Sequence, residues 1–217
     1  MYSPDALRRL QLLSSNPMPA ASEADGPATD PEAPIGQRRA AVAIVLGSDD
    51  KLLLIRRAAR EGDPWSGDMA FPGGRRQAED EDDVATAIRE TREEVGLELS
   101  REALVGPIAP QHSPLRRPDL AMSVFPFLFR VDRWSPFEVS DEVASVHLLD
   151  AHALLSGASR ETFRYQGWGL DRELPCLRLE GAFVWGLTLR MLDDLAERCG
   201  VPPRDDWPRA ASFQEHR

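Results

Sequence analysis

The sequence predicts an α/β fold in which helices cover both sides of a mixed β-sheet. Three observations lead there. Short apolar runs of strand length stand before, between and after the helical segments, an order that stacks sheet against helix. A helix in the middle of the chain carries Val84, Ile88, Thr91 and Val95 at i, i+4, i+7 and i+11, which gives it one core-facing side. The chain has 217 residues, 42% apolar and 29% charged, a length and balance that suit one globular domain with a tail.

Taken in order, Ser3-Pro4-Asp5 opens a helix, with Ser as N-cap and Pro at the first helical position, and Ala6 to Leu13 continues it as a short amphipathic segment. From Ser15 to Gly36 the composition shifts to Pro, Ala, Ser, Asp and Glu with almost no large apolar residue, as in a linker or a wrapped-over arm. The expected division is an arm over 1–36, a domain over 37–200 and a loose tail over 201–217. The helix of the arm can dock on the domain or on the second subunit of a homodimer, and the residues leave both open.

The domain begins with Ala40 to Leu46 as a buried strand. Ser48-Asp49-Asp50 turns the chain, and Lys51 to Arg56 returns as the second strand of a hairpin. A loop over Arg57 to Asp68 leads to a short strand at Met69 to Phe71. After the central helix, Leu104 to Ile108 reads as a strand and Pro110 to Pro118 as a Pro-rich basic loop. Ala121 to Val131 is a strongly apolar strand, and Pro126 within it predicts an edge position or a bulge. Glu142 to Leu148 is a strand and Ala151 to Leu155 a short helix. Thr162 to Tyr165 with Cys176 to Leu179 forms a late hairpin, and Leu187 to Cys199 closes the fold as a helix.

The central helix carries the chemistry. Glu90, Glu93 and Glu94 stand at i, i+3 and i+4, which gathers three carboxylates on one side of a helix. Like charges that close repel unless a cation sits among them, and Mg²⁺ prefers such oxygen ligands while keeping waters and sharing itself with substrate phosphates. Arg89 lies four residues before Glu93 and can pair with it, and Gly96 ends the helix as a C′ residue. An acidic helix is also what a solvated face produces. At about one in sixteen per required position, however, the five fixed residues of R-E-x-x-E-E-x-G arise by chance in about one in five thousand chains of this length. Before the helix, Phe71-Pro72-Gly73-Gly74 reads as a strand end, a fixed turn and two glycines that let backbone approach phosphate.

These residues resemble the signature of the Nudix hydrolases, G-x5-E-x7-R-E-U-x-E-E-x-G-U with U a bulky aliphatic residue. Glu81, Arg89, Glu90, Glu93, Glu94, Gly96 and Leu97 match, and Thr91 replaces an aliphatic position. Six residues rather than five separate Gly74 from Glu81. That longer loop and the Phe-Pro-Gly-Gly before it are similar to the coenzyme A pyrophosphatase branch, as is Phe183-Val184-Trp185-Gly186-Leu187-Thr188, whose aromatic residues also suit simple core filling at the start of the last helix. The resemblance spans Arg38 to Arg198 and implies a Nudix-type α/β/α sandwich with a loop-helix-loop catalytic motif. It also implies Mg²⁺- or Mn²⁺-dependent cleavage of a pyrophosphate bond in a small nucleotide-diphosphate compound, coenzyme A or a derivative.

On that resemblance Glu93 and Glu94 are metal ligands, Glu90 is a ligand or the base, and Glu81 is a ligand through water or a carboxylate that stabilises the helix N-terminus with Asp80, Asp82 and Asp83. Glu142, before a strand expected to return beside the helix, is either a general base or part of an exposed acidic turn. Gly73, Gly74, Arg75 and Arg57 are expected on the substrate phosphates. The upstream pattern of the coenzyme A branch is followed in part: Leu53, Leu54, Arg57 and Ala58 match, Ile55 replaces a Thr, and the second Arg is missing near Gly62 and Asp63. Hydrolysis of ADP-ribose or a nucleoside triphosphate, and nucleotide binding without catalysis, are the alternatives.

A formal charge of −10 argues against a general affinity for nucleic acid, which needs clustered Lys and Arg. Neither a membrane-spanning run nor a secretory leader is legible, which leads to a cytoplasmic expectation. Cys176 and Cys199, the only cysteines, are expected to be reduced and structural.

Overall fold

The computed structural model describes residues 38–63, 65–112, 122–167 and 170–201. The expected N-terminal helix and arm, the tail from 202 onward and most of the Pro-rich loop lie outside the described residues.

Strand β1 (Arg38–Gly47) is the spine. Its residues alternate between two cores, as the two-residue period of a strand requires. Ala40, Ile44 and Leu46 enter one cluster, while Ala41, Ala43 and Val45 enter the other. Strand β2 (Lys51–Arg57) follows through the expected turn, where Asp50 takes a positive φ of 58°, and it divides Leu52 and Leu54 from Leu53 and Ile55 in the same way. Both strands are therefore apolar on both faces, the mark of a sheet covered on both sides.

Eight strands form the main sheet. β3 (Met69–Ala70) and β8 (Val143–Asp150) pair with β2, and β4 (Gly73–Arg75) pairs with the first half of β1. β7 (Met122–Val131) runs parallel to β1 along its whole length, and β5 (Leu104–Pro107) and β6 (Gln111–His112) run antiparallel to β7. Helix α1 (Asp83–Val95) packs on one face with Ala87 and Val95. Helices α2 (Ala151–Leu155) and α3 (Gly186–Arg198) pack on the other. A second sheet of β9 (Arg160–Gly167), β10 (Leu170–Leu179) and β11 (Ala182–Trp185) joins α3 to that second layer through Leu177, Ala182 and Val184. The α/β/α sandwich is the one expected. Among the described residues no helix is long and apolar enough to cross a membrane, and Cys176 and Cys199 are free and buried.

Pro126 corrects one expectation. Its strand is interior, flanked by β1 on one side and by β5 and β6 on the other. The missing N–H is tolerated because Pro126 lies where β5 has ended at Pro107↔Phe127 and β6 begins at Gln111↔Val124. Only its carbonyl is needed there, and it accepts from Ile108 N–H at 2.8 Å.

Candidate active site

The start of α1 is fixed before any catalytic group is placed. Asp82 is the N-cap and accepts from Ala85 N–H at 2.8 Å, while Arg101 pairs with Asp82 from outside. Asp83 is buried against Arg39, whose Nε–H donates to it at 2.8 Å and whose guanidinium also lies 3.8 Å from the centre of the Phe125 ring. At the other end Gly96 takes φ 70° and donates to Arg92 O, and Glu138 N–H donates to Val95 O at 3.0 Å. Thr91 is buried where an aliphatic residue was expected, and its hydroxyl donates to Ala87 O at 2.7 Å.

Arg89 organises one side of the helix. It grips Asp80 through Nε at 2.9 Å and Nη2 at 3.0 Å, and reaches Glu90 and Glu93 through Nη1 at 2.9 Å each. Its remaining bond, 3.1 Å to Arg75 O, ties the glycine loop to the helix. The anticipated Arg89–Glu93 pair is therefore present, but Asp80 is the partner Arg89 holds in a fork, and it holds the Asp80 carboxyl well below the usual carboxylate range. Sequence spacing missed Asp80 because it lies in the loop before the N-cap, outside the helical period.

The three box glutamates do not share one exposed face. Glu93 is half exposed on Arg89, whereas Glu94 is only 4% exposed and Glu90 is largely buried. Glu94 faces inward because β4 passes over it: Gly73 N–H donates to Glu94 Oε2 at 2.9 Å. A Cβ on Gly73 would stand 2.3 Å from Ala41 O, so only glycine lets the strand come that close to β1. The next residue makes room for the second carboxylate, since a Cβ on Gly74 would lie 2.5 Å from Glu90 Oε2.

Glu90, Gly73, Gly74, Arg75, Arg57 and Glu142 all line one cleft of about 860 Å³. Glu142 arrives there because Ser140 N–H donates to Glu94 O and Ala58 N–H donates to Glu142 O. It sits in an exposed turn at the edge of that cleft, where its carboxylate accepts from Arg60 at 3.1 Å. Burial, reinforced by the charges of Glu90 and Glu142, pushes the Glu94 carboxyl up to about 7. Desolvation raises Glu90 as well, against the pull of Arg89. Of the four expected metal ligands only Glu90 lines the cleft: Glu94 lies beneath Gly73, Glu93 rests on Arg89, and Glu81 is exposed and pairs with Arg101. Arg57 is anchored by Asp63 at 2.9 Å, so the residue standing near the missing second arginine of the upstream pattern serves to hold the first.

Two neighbouring carboxylates, Glu90 and Glu94, raised chiefly by burial, suit a divalent cation. Among the described residues no three His, Cys, Asp or Glu side chains already stand in ligating arrangement. Mg²⁺ is commonly held by one or two carboxylates and completes its shell with water and phosphate, a demand that Glu90 and Glu94 meet.

The model of the NUDIX domain matches residues 36–166. The chain belongs to the Nudix hydrolase family. Among Nudix relatives, the Nudix hydrolase NudL of Yersinia pestis (strain Pestoides F), itself uncharacterized, is 30% identical over 166 residues, covering 76% of this chain and 81% of that protein. A protein of the same description from Yersinia pseudotuberculosis serotype O:1b gives the same figures. The Nudix fold is shared with the MutT/nudix family protein of Enterococcus faecalis, at TM-score 0.50 and 18% identity over 91% of this chain and 74% of that one. It is likewise shared with the MutT NUDIX hydrolase of Burkholderia pseudomallei, at TM-score 0.50 and 16% identity over 73% and 98%.

The Phe183-Val184-Trp185 segment divides. Val184 fills the core as simple packing predicts, but Trp185 lines the cleft and its Nε1–H donates to Asp68 Oδ1 at 2.9 Å. Asp68 does not stand out in the sequence, where it is one of several acidic residues in a loop. Thr188 closes the same junction by donating to Met69 O at 3.0 Å.

Proposed function

We propose that this protein is a divalent-metal-dependent diphosphatase that cleaves the pyrophosphate bond of a nucleoside diphosphate-linked compound, with coenzyme A or a derivative as substrate. The observation that carries the reading is the seating of buried Glu94 on Gly73 N–H with Glu90 packed against Gly74, which puts two carboxylates directly under the loop that would receive the phosphates. Magnesium or manganese would be held by Glu90 and Glu94, with Glu93 as a third ligand, and would supply charge neutralisation and an activated water. Glu142, carried into the cleft from the opposite wall, is the group we assign to the proton of the attacking water. Arg57 and Arg75 line the same space and suit the phosphate oxygens. The active unit is residues 37–200, with 1–36 and 201–217 as its flanks.

The coenzyme A assignment rests on the Phe-Pro-Gly-Gly loop, its extra residue and the Trp185 segment. The missing second arginine bears on the 3′-phosphate of the coenzyme, because each charge-assisted hydrogen bond to a phosphate oxygen is worth roughly 1.5 to 3 kcal/mol. Coenzyme A should therefore be cleaved without strong preference over dephospho-coenzyme A.

A hydrolysis screen with Mg²⁺ and Mn²⁺ over coenzyme A, dephospho-coenzyme A, ADP-ribose and nucleoside triphosphates tests both levels. Turnover that persists in excess chelator removes the metal role. No cleavage of either coenzyme moves the substrate to another nucleotide class. A large preference for coenzyme A would assign the 3′-phosphate to Arg60 or Arg75, both of which line the cleft. Nucleotide binding with no turnover would make the protein a binding module.

A further inference from the structure

Where β11 packs beside β3, the cleft has a wall that the diphosphate chemistry does not use. Trp185 forms it, and its ring is held on two sides. At its edge the indole N–H is fixed on Asp68 Oδ1. From the second sheet, the Tyr165 ring lies 5.2 Å away at 34° and the Phe163 ring 5.5 Å away edge-on, with Phe183 packed edge-on against Phe163 at 4.9 Å. An aromatic surface fixed in this way loses little freedom when a flat ligand lies on it.

Asp68 lines the same wall and is only half used. Among the described residues Trp185 donates to Oδ1, and no hydrogen bond is directed at Oδ2. An ionised carboxylate accepts and cannot donate, so a ligand meeting Oδ2 must present N–H or O–H groups. The pair also stands at a useful place: Arg57 N–H donates to Asp68 O at 3.0 Å, and the Arg57 charge favours the ionised forms of both Asp68 and Glu94. One guanidinium thus links this wall to the carboxylates.

We propose that Trp185 and Asp68 read the nucleobase: the base lies on the indole and its exocyclic amino group donates to Asp68 Oδ2, so the cleft selects amino-bearing bases such as adenine. This deepens the reading of the cleft as a nucleotide-diphosphate site and rests on it. The pairing explains why a carboxylate is kept against an apolar aromatic wall, where desolvation opposes its charge.

The test is binding of AMP and of purine riboside 5′-monophosphate, which lacks only the 6-amino group, to the full chain in magnesium by titration calorimetry. Wild type should bind AMP at least about tenfold more tightly, because a site built to accept a donor rejects the analogue without it. Asp68→Asn should erase that preference, since the amide oxygen can keep Trp185 while its NH₂ meets the amino group of the base. Trp185→Phe, which keeps a ring but loses the anchor, should weaken both nucleotides and reduce the ratio. Ratios do not depend on the folded fraction, so a destabilised variant still reports. Equal binding of the two nucleotides by wild type, or an unchanged ratio in Asp68→Asn, overturns the proposal. So does an equal weakening of both nucleotides by Asp68→Asn, which would assign the carboxylate to ribose. No turnover is needed, so failure of the diphosphatase reading, seen as absent hydrolysis, stays separate from failure here.

Discussion

Asp80, just before helix α1, and Glu94, in its last turn, are both nearly inaccessible and have opposite electrostatic fates. Asp80 is forked by Arg89, accepts from Gln77 N–H and from the Thr86 hydroxyl at 2.9 Å each, and is held low. Glu94 has one backbone N–H and two neighbouring carboxylates, and is pushed up to about 7. A paired buried carboxylate secures structure, whereas one buried without a compensating cation weakens the fold and is explained only by what it binds. On the proposed reading, helix α1 separates holding from chemistry, with Arg89 reaching into both groups.

The largest effect is expected at Glu94. Glu94→Gln keeps an oxygen for Gly73 N–H but removes the charge, so kcat should fall by about two orders of magnitude or more. In chelator its unfolding midpoint should match or exceed that of wild type, because a buried charge has gone. An active variant, or one clearly less stable without metal, would place Glu94 with Asp80 as a structural residue.

Gly74→Ala comes next. The added methyl meets the movable end of Glu90 rather than backbone, so kcat should drop by about ten- to a hundredfold with little change in thermal stability. Full activity would mean that the position of Glu90 does not matter.

Asp80→Asn sharpens the other half. Breaking a buried pair costs about 3 kcal/mol, read from denaturant unfolding at pH 7. The folded carboxyl is held below its unfolded value, so this stability is present above the unfolded pKa of about 4 and is lost as pH falls through the folded one. The gap between wild type and variant should stay level from pH 8 to 5 and close in more acidic solution. A gap that persists at low pH would point to packing rather than charge.

The smallest effect is expected from deleting the arm. A chain beginning at Gly36 should keep its metal-dependent kcat within about twofold, since the composition of that stretch offers little apolar surface to bury. Loss of activity would show that the arm completes the domain or a subunit interface.

What can be read ahead of the structure follows from how far each signal travels along the chain. The β1–β2 hairpin, α2 and the last helix announce themselves through local period and turn residues, and the structure places them where those signals point. Glu90, Gly73, Gly74 and Glu142 are legible because helix spacing, paired glycines and a strand start are also local. The inward turn of Glu94 is not, since only the passage of β4 over α1 buries it. The partners of Asp80 and Asp68 stay hidden for the same reason: each gains its place from a residue, Arg89 or Trp185, that no period links to it. Pro126 misleads because the gap between β5 and β6 that accommodates it is created by other strands.

The parallel pairing of β1 with β7 has a kinetic consequence. Arg38 meets Met122 and Gly47 meets Val131, so the centre of the sheet closes only after the whole loop that carries β4 and α1 has been drawn in. Long-range closure of this kind is slow, because chain entropy is lost before the contacts that reward it form. On the ribosome, the glutamate helix emerges well before the strand that completes the sheet beneath it. Until β7 docks, the sheet beneath α1 is incomplete, and refolding should regain helical signal ahead of any ability to turn over substrate.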